Sequence, residues 1–155
     1  MVATYKVPLG KLLAAVLSPD GQAIAMANVE KIVQIWHRDR PAPQTLKGHQ
    51  AEVWHVVFSP NGRLVGSASG DGTAKLWTLD GKLFRTLVGH TAAVWRVAFS
   101  QDSKMVASGS GDNTVKVWTL DGEPALFTQR LRQEKKGIPP QATGVSAKRA
   151  PRANA

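Results

Sequence analysis

Apolar residues along this chain fall in short runs of strand length, rich in Val and Ile, and each run is closed by Gly, Pro, Asn or Asp. The clearest run, 53–58, ends in Ser59-Pro60-Asn61-Gly62, where Pro sets a negative φ and Asn-Gly accepts a positive one. The pattern predicts further strands at 63–69, 73–77 and 83–87, the last two following Gly70-Asp71-Gly72 and Asp80-Gly81. A second set of runs predicts 94–99, 104–110 and 114–118, with Pro124 interrupting the start of a fourth strand. An earlier set fits 11–17, 22–27, 31–36 and 44–47, with Pro41 and Pro43 stiffening the approach to the last. These are antiparallel strands in groups of four, an all-β chain.

The groups keep register. Trp36, Trp77 and Trp118 lie 41 residues apart, as do Ser18, Ser59 and Ser100. Gly48-His49 recurs as Gly89-His90, Val53-Trp54 as Val94-Trp95, and Gly70-Asp71 as Gly111-Asp112. A period near forty means one supersecondary unit per repeat, each unable to bury its apolar face alone, so the units must stack or form a ring. The chain divides into an N-terminal segment 1–9, three units at about 10–47, 48–88 and 89–130, and a tail at 131–155. Tyr5 and its neighbours are read as the remnant of a preceding strand. The first unit is degenerate, since Val7-Pro8 stands where Gly-His is expected.

Composition adds limits. The chain has 155 residues, of which 43% are hydrophobic, enough for one core. It has no cysteine, so disulfides, thiolate metal sites and Cys catalysis are excluded. The net charge of +9 is concentrated near the end, with seven Lys or Arg from Arg130 onward against the single acid Glu134. That high charge describes a basic tail, too poor in apolar residues to fold, and not a basic face of the repeats. Lys6 and Lys11 before 12–17 faintly imitate a secretory signal, but the apolar run stops at a turn that recurs in register later. No stretch reaches membrane-spanning length. The expectation is a cytoplasmic protein.

Gly-His, an apolar strand, Ser-Pro-Asn-Gly, and then Ser-x-Ser-Gly-Asp-Gly-Thr-x-Lys-Leu-Trp together resemble the WD-repeat (WD40) family of β-propellers. The likeness runs from about Gly10 to Arg130. Its style is similar to the long repeat arrays of bacterial, especially cyanobacterial, regulatory proteins. Each unit closes on Trp36-His37, Trp77-Thr78 or Trp118-Thr119 where the family's name leads one to expect Trp-Asp. The resemblance implies four-stranded antiparallel blades, here a partial, open propeller.

It also implies a structural tetrad in each blade: His49, Ser67, Asp71 and Trp77, then His90, Ser108, Asp112 and Trp118, with Ser69 and Ser110 as the other candidate serines. A buried imidazole and a buried indole N–H need partners, and the carboxylate can fix the histidine tautomer. In the first unit Glu30 and Pro8 replace the acid and the histidine and Trp36 is retained, so that unit is expected to be the least stable. Asp, His and Ser in one set invite comparison with a hydrolytic triad, but a triad needs an exposed nucleophile and an oxyanion hole, whereas these recur once per unit and satisfy one another. His37, His49, His55 and His90 form no close ligand pair. No catalytic role, metal or cofactor is expected.

Such propellers bind peptides and proteins on the rim near the central channel. By resemblance, the residue after the first Val of the first strand lies there: Trp54, Trp95 and, in the degenerate unit, Leu13. Glu52, Ala93 and Lys11, two positions earlier, share that rim. Aromatic anchors beside polar groups are the material of protein-recognition hot spots, although packing between blades would also account for the two tryptophans. Closed propellers need about four to eight blades. Three units therefore imply either a fragment of a longer propeller or a homo-oligomer that completes one. The expected function is a noncatalytic scaffold for a protein or peptide partner; the alternatives are weak nucleic-acid association through the tail, which has no aromatic for stacking, or the sensor end of a larger signalling protein.

Overall fold

The computed structural model describes Thr4 and residues 10–121. The tail, the neighbourhood of Tyr5, Val7-Pro8 and Pro124 lie outside the described residues. Among the described residues every regular element is a strand: β1 Leu12–Leu17, β2 Ala23–Asn28, β3 Ile32–His37, β4 Gln44–Lys47, β5 Val53–Phe58, β6 Leu64–Ser69, β7 Ala74–Thr78, β8 Leu83–Leu87, β9 Val94–Phe99, β10 Met105–Ser110 and β11 Val115–Thr119. They form three antiparallel sheets, ordered β1-β2-β3-β4, β5-β6-β7-β8 and β11-β10-β9. Strand bounds fall within a residue of those the hydrophobic pattern predicts.

The third strand of each sheet begins one residue later than the pattern suggests. Thr73 and Thr114 are retained in the turn by hydroxyl bonds to Asp71 Oδ1 and Asp112 Oδ1, both 2.6 Å. In the first sheet Lys31 sits just before β3 with φ 66°, the left-handed conformation that Gly72 and Asn113 adopt at the equivalent positions.

The sheets fan out from their first strands, with β1 against β5 and β5 against β9. Between the first two sheets the core joins Ala23, Ala25, Ala27, Val33 and Ile35 to Val53, Val56, Phe58, Val65 and Trp77. The three alanines of β2 meet larger side chains of the facing sheet, which lets the sheets approach closely. The second junction repeats the scheme, Ala68, Ala74 and Leu76 meeting Val94, Val97 and Val106, with Phe99 packed alongside. Gly66 is open enough to receive Phe99, whose ring a Cβ would approach to 3.2 Å. Outer strands add clamps. Arg85 on β8 donates to the Thr119 and Leu120 carbonyls at 2.8 and 3.2 Å. The described chain is an open, partial propeller of three blades.

Candidate functional site

In the second blade, His49 leaves its own strand connection to lie over the sheet. Its Nδ1 is 2.8 Å from Asp71 Oδ2 and its Nε2 is 2.7 Å from Ser67 Oγ, which also accepts the Trp77 indole N–H at 2.8 Å. Asp71 further accepts the Gln50 and Thr73 N–H groups at 2.9 Å each and the Thr73 hydroxyl. A carboxylate taking these donors is ionised, which fixes the chain of protons. The His49 Nδ1–H donates to Asp71, the Ser67 hydroxyl donates to neutral Nε2, and the Trp77 N–H donates to Ser67.

The electrostatics agree with that assignment. Burial lowers the His49 pKa by disfavouring the imidazolium, against the attraction of Asp71. Burial alone would raise Asp71, but hydrogen bonds from Thr73, Gln50 and His49 hold it at about 2. In the third blade His90 repeats both bonds at 2.8 Å, to Asp112 and Ser108, and the Trp118 N–H reaches Ser108 at 2.9 Å. The carboxyl of Asp112 is likewise held low, first by the Thr114 hydroxyl.

Ser69 and Ser110 do different work from Ser67 and Ser108. Their hydroxyls donate to the Ala51 and Ala92 carbonyls, at 3.0 and 3.1 Å, and accept the Asp71 and Asp112 N–H groups. Among the described residues the first blade shows no such network: besides Glu30 in place of the aspartate, Met26 occupies the place of Ser67. There Asn28, buried where Ser69 stands, caps the turn by accepting the Glu30 and Ile32 N–H groups at 3.0 and 3.4 Å. In the second and third blades the network residues are buried or half-buried and bonded to one another, and none is an exposed nucleophile.

The exposed candidates lie at the start of the first strands. Each of these strands carries a register shift there, between Leu12 and Ala14, between Val53 and His55, and opposite Gly109 and Ser110 at Val94 and Arg96. The residues set out of the ladder are Leu13, Trp54 and Trp95. A bulge leaves the extra residue unpaired and re-aims its side chain. Trp54 and Trp95 are 36% and 48% exposed, and their rings lie 5.5 Å apart at an interplanar angle of 51°. Leu13 is half-buried, and Lys11 and Glu52 are exposed.

Two glycines make room for the indoles, a signal the sequence pattern shows only as turn residues. A Cβ on Gly70 would come within 3.1 Å of Trp54 Nε1, and one on Gly111 within 2.9 Å of Trp95 Nε1. The Glu52 carboxylate borders the same point over Gly70. The backbone behind this edge is tied down. The carbonyls of Lys11, Glu52 and Ala93 accept the N–H groups of Val29, Gly70 and Gly111 at 3.1, 3.0 and 2.9 Å. Among the described residues no three His, Asp or Glu side chains are grouped to hold a metal, and no helix is long and apolar enough to cross a membrane.

Sheets fanned about their first strands, two of them locked by a His-Asp-Ser-Trp network, define the chain as one built of propeller blades. The family profile described as WD domain, G-beta repeat matches residues 42–78 and 81–119. The chain belongs to the WD-repeat family. Both matched segments run from the outer strand of one sheet through the first three strands of the next, β4 to β7 and β8 to β11. Each sequence repeat thus stitches two blades together. No curated protein shows significant similarity to the chain.

Proposed function

We propose that this chain is a noncatalytic interaction module that binds an extended peptide or a protein segment along the edge formed by Trp54 and Trp95, continued by Leu13 and flanked by Glu52 and Lys11. WD repeats generally mediate protein–protein interaction. The observation that carries the reading here is the bulge at the same position of the first strand in three successive sheets, which turns these side chains out of the ladders and leaves the two indoles 5.5 Å apart. Rigid indoles offer large contact area at small entropy cost. Their polar N–H groups and the neighbouring carboxylate supply orientation.

The test is selection of peptides from a displayed random library on the wild-type chain and on the Trp54→Ala/Trp95→Ala variant. Wild type should enrich peptides sharing a motif and the variant should not, with a melting temperature close to that of wild type. If stability collapses together with binding, the indoles are packing residues and the edge is not a recognition site.

A further inference from the structure

The 41-residue register makes the three sheets comparable position by position, and the comparison identifies what the two outer faces of the fan are built to meet. The face of the third sheet turned away from the second carries Ala98, Met105, Ala107, Val115 and Val117, and several of these line a shallow apolar hollow. In the second sheet the same positions are Val57, Leu64, Gly66, Ala74 and Leu76, and that face is covered by the third sheet. Ala74 is 1% exposed, whereas its counterpart Val115 is 70% exposed.

The opposite end shows the other half of the joint. The free face of the first sheet carries Leu12, Ala15, Leu17 and Ile24, which correspond to Val53, Val56, Phe58 and Val65. Those four are buried against the first sheet. Phe58 is 6% exposed and its counterpart Leu17 is 59% exposed. One end therefore has the receiving face of a junction that the chain forms twice internally, and the other end has the inserting face.

The sizes compensate as well. Inside the chain Gly66 receives Phe99, whereas the free faces would set Ala107 against Leu17, a methyl larger on one side and a smaller side chain on the other. Arg96 is the charge on the receiving face. It lies exposed on β9 beside the bulge, where its aliphatic stem can stay on apolar surface while the guanidinium remains in water.

We propose that the free face of the third sheet docks on the free face of the first sheet of a second copy, and the reverse, closing a ring of two chains and six blades. Complementary faces at opposite ends make a heterologous contact, which gives a ring or an open fibre. Rings of this architecture hold about four to eight blades, and six is the multiple of three in that range. The proposal stands independently of the rim reading, since it uses the sheet faces and not the bulged edge.

Sedimentation velocity on the full chain at micromolar concentration tests it. The expected mass is twice the 16.7 kDa of one chain. A single-chain mass, or a polydisperse series, overturns the proposal. Val115→Glu blocks only the receiving face and Leu17→Glu only the inserting face, both at exposed positions, and each variant alone should sediment as a monomer with an unchanged near-ultraviolet spectrum. Mixed together they should recover a dimer, because the first retains an intact inserting face and the second an intact receiving face. A mixture that stays monomeric, or either variant remaining dimeric alone, also overturns it, and Val117→Lys replaces Val115→Glu should that spectrum change.

Discussion

At the scale of single residues, the position with most consequence is Ser67, a small side chain bonded to two larger ones. Replacing it with Ala removes the acceptor of the Trp77 N–H and the donor to His49 Nε2 while both stay buried. Two unsatisfied groups at about 1–3 kcal/mol each predict a loss of about 2–6 kcal/mol for Ser67→Ala, read as a shift of the urea midpoint. The pH dependence has a definite sign. His49 is held below its ordinary value of 6.5, so below that pH the unfolded chain takes up the proton more readily and stability falls. Asp71 is held at about 2 against 3.8, so its contribution is present above 3.8 and fades as the pH drops toward 2. The melting temperature should decline on acidification below 6.5 and again below about 4, the second decline being smaller in Asp71→Asn. A melting temperature unchanged between 6.5 and 3.8 would contradict the network of His49.

At the scale of elements, the bulges decide which side chains face out. A regular ladder would carry Trp54 and Trp95 back into the alternation of β5 and β9, and the indoles stay on the edge because the turn opposite each begins with a glycine. Gly111→Ala places a methyl 2.9 Å from Trp95 Nε1. It should displace that indole and shift tryptophan emission to the red while leaving far-ultraviolet dichroism unchanged. An unshifted spectrum would mean that the ring is not seated over the glycine.

At the scale of the whole molecule, the second sheet is covered on both faces and carries the full network, whereas the first has one packed face and Met26 in place of the serine. Opening free energy should follow that order. Native-state hydrogen exchange is expected to be slowest for β5 to β7 and faster for β1 to β3. Equal protection in the two sheets would assign no stabilising role to the buried network.

The repeat, its strand boundaries and the family could all be read from the sequence, because they depend on local rules: period-two alternation, turn residues and a fixed spacing between Trp36, Trp77 and Trp118. The tetrad positions could be named from the family pattern. Which serine joins His49 depended on the fold, because Ser67 and Ser69 both point to the same face of β6 and only the register, which pairs Ser67 with Lys75, sets Ser67 diagonal to Trp77 and within reach of its N–H. The bulges at Leu13, Trp54 and Trp95 were hidden for the same reason, since a ladder irregularity is a relation between strands and not a property of either. The pairing of a receiving face with an inserting face also exists only in three dimensions. Sequence spacing makes the blades alike, and tertiary packing alone decides which face of each is covered and which is left open.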